Sequence, residues 1–149
     1  GELTGPLTHV GSLPIVLRMD VTHLRQVAQH VEDLDRATAF YRDVVGLDLI
    51  ARFDPPGLVF FDLGSCRLLL ETGATPALLY LGVDDVTAAV EQLRAQGVTI
   101  ESEPHVIHVD ADGTFGPAGE GEEMAFFRDS EGNLVGLAGR RRLDGAEGA

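Results

Sequence analysis

The sequence predicts an α+β fold of two tandem βαβββ modules, and three observations carry the prediction. One phrase is written twice: Val31-Glu32-Asp33-Leu34, then Arg36-Ala37-Thr38-Ala39-Phe40-Tyr41 and Val45-Gly46-Leu47, returns as Val83-Asp84-Asp85-Val86, Ala88-Ala89-Val90, Leu93 and Gln96-Gly97-Val98. The offset is 52 residues at the valine and 51 at the glycine, which reads as an internal duplication with one deletion. The punctuation repeats as well, with an aspartate where each helix starts and a glycine where it stops. Finally, 149 residues with 44% hydrophobic content suit one domain with a real core. Each copy alone is too small to bury both faces of a sheet, so the halves must pack together.

The elements follow in order. Residues 1–19 are set apart as a tag or upstream extension, because Met19 stands directly before the first regular segment. Within them Leu13-Pro14-Ile15-Val16-Leu17-Arg18 is too short, and too poor in preceding basic residues, for a secretory signal. A single domain is expected over 20–139, with module one at 24–72 and module two at 77–138. Arg25 to Val31 reads as the first strand. Asp33 caps a helix whose Leu34, Ala37, Phe40, Tyr41, Val44 and Val45 keep the helical period until Gly46 ends it. Strands over 47–53 and 58–63 flank Asp54-Pro55-Pro56-Gly57, a hairpin turn. Arg67 to Glu71 is a fourth strand, and 73–76 is the linker. In module two, 78–83 is a strand, Asp85 caps the second helix and 98–101 is another strand. Residues 123–129 and 133–138 form the last hairpin, joined through Ser130-Glu131-Gly132-Asn133. The glycine-rich acidic stretch between His108 and Glu123 has no period and is expected to move, as a lid over a pocket or as plain disorder. Residues 140–149, basic and then polar, are expected to be a solvated tail.

Charge narrows the function. Eleven Lys and Arg against 24 Asp and Glu give −13, a surface that repels nucleic acid and anionic lipid at long range. Neither nucleic acid nor membrane is an expected partner. The single Cys66 cannot form an internal disulfide, and no apolar stretch approaches the roughly 20 residues of a membrane helix, so a cytoplasmic protein is expected.

The phrases Asp33-Leu34-Asp35-Arg36-Ala37 through Phe40-Tyr41, and Phe126-Phe127-Arg128-Asp129-Ser130-Glu131-Gly132-Asn133, resemble the vicinal oxygen chelate superfamily over about residues 24–138. That superfamily includes glyoxalase I, extradiol dioxygenases, methylmalonyl-CoA epimerase, fosfomycin-modifying enzymes and bleomycin-binding resistance proteins. The resemblance implies curled mixed sheets around a cleft, with four cleft-facing side chains holding a divalent metal that acts as a Lewis acid. Carried over residue by residue, those four positions fall on Gln26, Leu69, Leu78 and Gly136. Leucine and glycine side chains coordinate nothing, and one amide oxygen does not hold a divalent ion, so the standard metal site is expected to be lost. A slip of two residues would bring Glu71 into the second position without reversing the strand's faces. Gln26, Glu71 and His105 are the remaining candidate metal donors, and no cofactor is assigned.

Strand alternation then selects cleft residues, since residues two apart share a face. Gln26, Ala28 and His30 share one, as do Arg67, Leu69 and Glu71, and Leu78, Tyr80 and Gly82. His30 and His105 are candidate proton carriers with Glu71 assisting. Arg67 can clamp a carboxylate or phosphate through its planar fork, and Tyr80 can stack or hydrogen-bond. Gln26, Leu69 and Leu78 complete the expected substrate surface. Beside His30 the nonfunctional reading is a histidine held by a neighbouring carboxylate such as Glu32 or simply solvated, and beside Arg67 it is an ion pair with Glu71 or a rim position. His105 is preferred over His108 because its Glu-Pro-His phrase resembles a subgroup of the superfamily that also has glutamine at the first ligand position. The two histidines, three apart, are expected on opposite faces. Glu122 or Glu123 could couple with a histidine as acid and base.

Two functions compete. The first is a resistance or sequestration binder that holds a small organic molecule in a metal-free cleft walled by Leu69, Leu78 and nearby phenylalanines. The alternative is a lyase or isomerase of a small metabolite, like glyoxalase I or an epimerase, with a metal held through a non-standard site. A homodimer is expected either way, because a short two-module chain has sheet edges to cover.

Overall fold

The computed structural model describes residues 9–10, 13–14 and 19–143. Strands β1 (His9–Val10) and β2 (Leu13–Pro14) form a short antiparallel ladder. The rest of the expected extension, and residues 144–149 of the expected tail, lie outside the described residues.

Module one runs β3 (Gln26–His30), α1 (Leu34–Ala39), β4 (Asp48–Phe53), β5 (Leu58–Asp62) and β6 (Arg67–Glu71). Module two repeats that order as β7 (Leu79–Gly82), α2 (Val86–Ala95), β8 (Ile100–Asp110), β9 (Glu120–Arg128) and β10 (Leu134–Arg142). Each module forms one mixed four-stranded sheet, ordered β4-β5-β6-β3 and β7-β10-β9-β8, in which only β3 with β6 and β7 with β10 run parallel. No helix among the described residues is long and apolar enough to cross a membrane.

Local chemistry places the helices as the sequence predicts. Asp33 accepts from the Arg36 N–H at 3.0 Å and Asp85 from the Ala88 N–H at 2.9 Å, each filling one orphan donor of a first turn. Gly46 ends the first helix in the left-handed region at φ 88°. One feature was not foreseen: over Phe40–Val45 the helix widens to the π form, and the Gly46 N–H reaches back to the Tyr41 carbonyl.

One face of each sheet buries the helices. Val31, Val59, Phe61, Leu68 and Leu70 from the first sheet join Ala37, Tyr41, Val86, Val90, Leu93, Ala125, Phe127, Val135 and Leu137 in a single core. That continuity is what makes the two modules one domain.

The later strands correct the sequence reading. Strand β8 continues to Asp110 and β9 begins at Glu120, so only 111–119 is loop. That loop is tied down: Asp110 accepts from the Thr114 and Phe115 N–H groups at 2.7 and 2.9 Å, and Arg140 reaches Asp110 at 2.9 Å and the Pro117 carbonyl at 3.0 Å. Burial alone would raise the Asp110 carboxyl, but those amides and Arg140 hold it down at about 2. The expected solvated tail starts too early, because β10 runs through Arg142. Arg140 binds Glu120 at 2.7 Å and Glu122 more closely, and Arg141 binds Glu123 at 3.1 Å.

Candidate functional site

The faces turned away from the helices carry the candidate site. On the first sheet, pairing puts Gln26 beside Arg67, Ala28 beside Leu69, His30 beside Glu71 and Phe60 beside Leu69. Arg67 donates to the Gln26 side-chain oxygen at 2.7 Å and lies 5.5 Å from the Phe60 ring centre, a cation over an aromatic face. Phe60 meets Phe53 edge to face at 5.9 Å. His30 bonds the Thr72 carbonyl at 3.0 Å through Nδ1, instead of a neighbouring carboxylate. Arg67 is not paired with Glu71: the two stand at opposite ends of β6.

On the second sheet, Tyr80, Gly136 and Phe126 stand in one row across β7, β10 and β9. The rings of Tyr80 and Phe126 meet edge to face at 5.9 Å directly over the glycine. A Cβ at Gly136 would lie 2.8 Å from Tyr80 Cδ1 and 3.1 Å from Phe126 Cε1, so glycine is what allows the rings to close. Leu78 precedes this strand and is 48% exposed, whereas Leu69 on the other sheet is only 7% exposed.

Further along the same face, His105 pairs with Met124 and His108 with Glu122. Those partners are two apart on β9, so both histidines share one face, against the sequence expectation. Irregular register between Val106 and His108 absorbs the odd residue. His105 is exposed, with Nδ1 on the Glu103 carbonyl at 2.8 Å, and lies on the strand farthest from β7. Glu122 and Glu123 serve Arg140 and Arg141, not a histidine.

The turn that follows β9 works between the modules. Asp129 accepts from the Glu131 and Asn133 N–H groups at 2.8 Å and from the buried Tyr41 hydroxyl at 2.6 Å. Burial first, then the Asp129 charge and hydrogen bond, push the Tyr41 phenol far up. Glu131 accepts from the Glu32 and Asp33 N–H groups at 2.9 and 2.8 Å and holds Arg36 at 2.8 and 3.0 Å. Burial would raise this carboxyl, but Arg36 and the hydrogen bonds from Asp33, Ser130 and Glu32 hold it at about 2. Asn133 donates to the His30 carbonyl at 2.9 Å. Gln29, fully buried, accepts from the Ala77 N–H at 2.9 Å and donates to the Ala77 carbonyl at 2.7 Å. The sequence reading passed over Gln29; its only signal was a polar residue in step with Val27 and Val31.

The family model of the Glyoxalase/Bleomycin resistance protein/Dioxygenase superfamily matches residues 23–137. The chain belongs to that superfamily. Solved structures agree. TnmS3, an antibiotic-binding protein from Streptomyces sp. CB03234, is 25% identical with a TM-score of 0.61, over 80% of this chain and 97% of that one. A lactoylglutathione lyase from Agrobacterium tumefaciens is 25% identical with a TM-score of 0.61, over 81% and 96%. A superfamily member from Sphaerobacter thermophilus DSM 20745 shares the fold at 20% identity, with a TM-score of 0.64 over 81% and 99%.

Against this superfamily's metal chemistry the four carried-over positions can be tested directly. Leu69 and Leu78 have no donor, Gly136 lies under two rings, and the Gln26 oxygen already accepts from a guanidinium whose charge opposes a cation. These residues do not fit a divalent ion. Nor are Gln26, Glu71 and His105 brought together: the first two stand at opposite ends of the β3–β6 pair and His105 is at the far edge of the other sheet. Among the described residues no group of three or more His, Cys, Asp or Glu could hold a metal.

Proposed function

We propose that this superfamily member is a sequestering binder of a planar aromatic molecule, using the open faces of its two sheets. The observation that carries the reading is the Tyr80–Phe126 pair closed over Gly136, which puts an aromatic surface at one of the four carried-over ligand positions. Phe53, Phe60 and Arg67 supply a second aromatic surface with a cation, Gln26 and Leu69 border it, and Leu78 stands before β7 on the other sheet. An antibiotic-binding protein among the similar structures supports a binding role. A lone free cysteine suits a reducing compartment, and we place the protein in the cytoplasm. Titration with 9-anthracenecarboxylate, followed by the probe's own fluorescence, tests the reading. Saturable binding that weakens about tenfold in both Phe126→Ala and Arg67→Ala is expected. Absence of saturable binding, or binding indifferent to both changes, sinks it.

A second reading, a lyase or isomerase, draws on the His30–Glu71 pairing across β3 and β6 and on the lactoylglutathione lyase among the similar structures. In it His30 moves the proton, Glu71 assists and His105 is a further proton carrier. Formation of lactoylglutathione from methylglyoxal and glutathione, abolished by His30→Ala with folding intact, would put the enzyme first.

A further inference from the structure

The two sheets do not join. Among the described residues strand β7 pairs only with β10, and β3 only with β6, so each leaves one edge open. A cavity of about 550 Å³ opens between the modules along the edge of β7. Val44 and Leu47 wall it from behind the π turn, Leu63 from the first sheet, and Leu81, Leu93 and Phe127 from module two. The volume lies in the range of small-molecule sites, and such sites are mostly apolar with a few placed polar groups.

Its polar groups are few and uncharged. The lining contains no Asp, Glu, Lys, Arg or His; its polar side chains are Gln92, Tyr80 and the free thiol of Cys66. Backbone supplies the rest. The Val83 N–H donates to the Ala138 carbonyl on β10, so by strand alternation the peptide groups of Gly82 and Tyr80 point the other way, toward the open edge. Both residues line the cavity.

We propose that this cavity is a second binding site, which shares only Tyr80 with the open sheet faces, for an uncharged and largely apolar small molecule that hydrogen-bonds the free edge of β7. Charged ligands are excluded because nothing in the lining compensates the loss of their hydration. The −13 net charge of the chain acts against anions in addition. This site does not depend on the aromatic reading of the open faces.

The probe is N-phenyl-1-naphthylamine, uncharged and carrying one N–H, titrated into the full chain. Saturable enhancement at one probe per chain is expected. Ala89→Trp, which fills the cavity from α2, should weaken it about tenfold, while Phe53→Ala and Phe60→Ala on the open face of the first sheet leave it unchanged. 1-Phenylnaphthalene, which lacks the amine, should bind more weakly. In the unmodified chain, bound probe should slow alkylation of Cys66 by N-ethylmaleimide about fivefold or more, a readout that holds even if Ala89→Trp fails to fold. No saturable binding, loss of binding in Phe60→Ala, or undiminished alkylation of Cys66 with probe bound overturns the proposal. So does loss of probe binding in step with self-association, which would make a second copy the occupant.

Discussion

At the scale of single residues, two positions decide most. Gly136 permits the Tyr80–Phe126 contact, and the crowding around its missing Cβ gives a direct prediction. Gly136→Ala must push the Tyr80 ring aside. As overpacking it should cost about 1 kcal/mol in thermal or denaturant unfolding and weaken 9-anthracenecarboxylate binding together. Glu131 is the other. Its folded carboxyl is held near 2 against an ordinary 4.5, so its contribution is fully present above 4.5 and is lost as pH falls toward 2. Because Arg36 is half-exposed, screening trims that contribution to about 2 kcal/mol. Glu131→Gln should lower unfolding free energy by that order at pH 7, with the gap to the unmodified chain closing by pH 2 to 3 in urea melts. Both residues stand out in the sequence, but neither in the role the structure gives it. Gly136 is conspicuous only as a family ligand position without a side chain, and nothing local sets it under two rings. Glu131 belongs to a phrase that marks the family, and its work in clamping the start of α1 to the far turn lies in contacts about a hundred residues apart, which no local pattern encodes.

Among elements, the helices and module one were legible and the long strands of module two were not. Caps, glycine stops and helical periods are local, and they placed α1 and α2 to within a residue or two. The outer halves of β9 and β10 are polar and charged and β8 breaks register, so alternation of hydrophobicity fails there although the ladder continues. Counting equal steps outward from the β9–β10 turn would have set Arg140 against Glu122 and Arg142 against Glu120, which was the available signal. The irregular register of β8 had no such signal, and it is why His105 and His108 share a face. Arg140 gives the prediction at this scale. Arg140→Met should free the 111–119 loop, so that the Thr114 and Phe115 amides, bonded to Asp110, exchange with solvent at least tenfold faster by hydrogen-exchange mass spectrometry. Unchanged exchange would mean that Asp110 orders the loop without its cation.

For the whole molecule, the outer edges matter most. Strands β4 and β8 end the two sheets, and both carry exposed apolar side chains: Leu49 and Ile50 on one, Ile107 and Val109 on the other. We propose that a second copy covers them. Sedimentation equilibrium should give a dimer, and Ile50→Lys with Ile107→Lys should give a folded monomer; a monomer at all concentrations in the unmodified chain would discard the idea. The inner boundary behaves differently. Gln29 grips Ala77 at the start of module two, Asn133 holds the His30 carbonyl, Glu131 binds Arg36, and one core runs through both modules. None of these ties uses the covalent link at 73–76. A chain cut there should therefore remain one particle, and the two halves, expressed separately, should reassemble by fragment complementation. The linker then fixes the order in which the modules are made more than it holds them together.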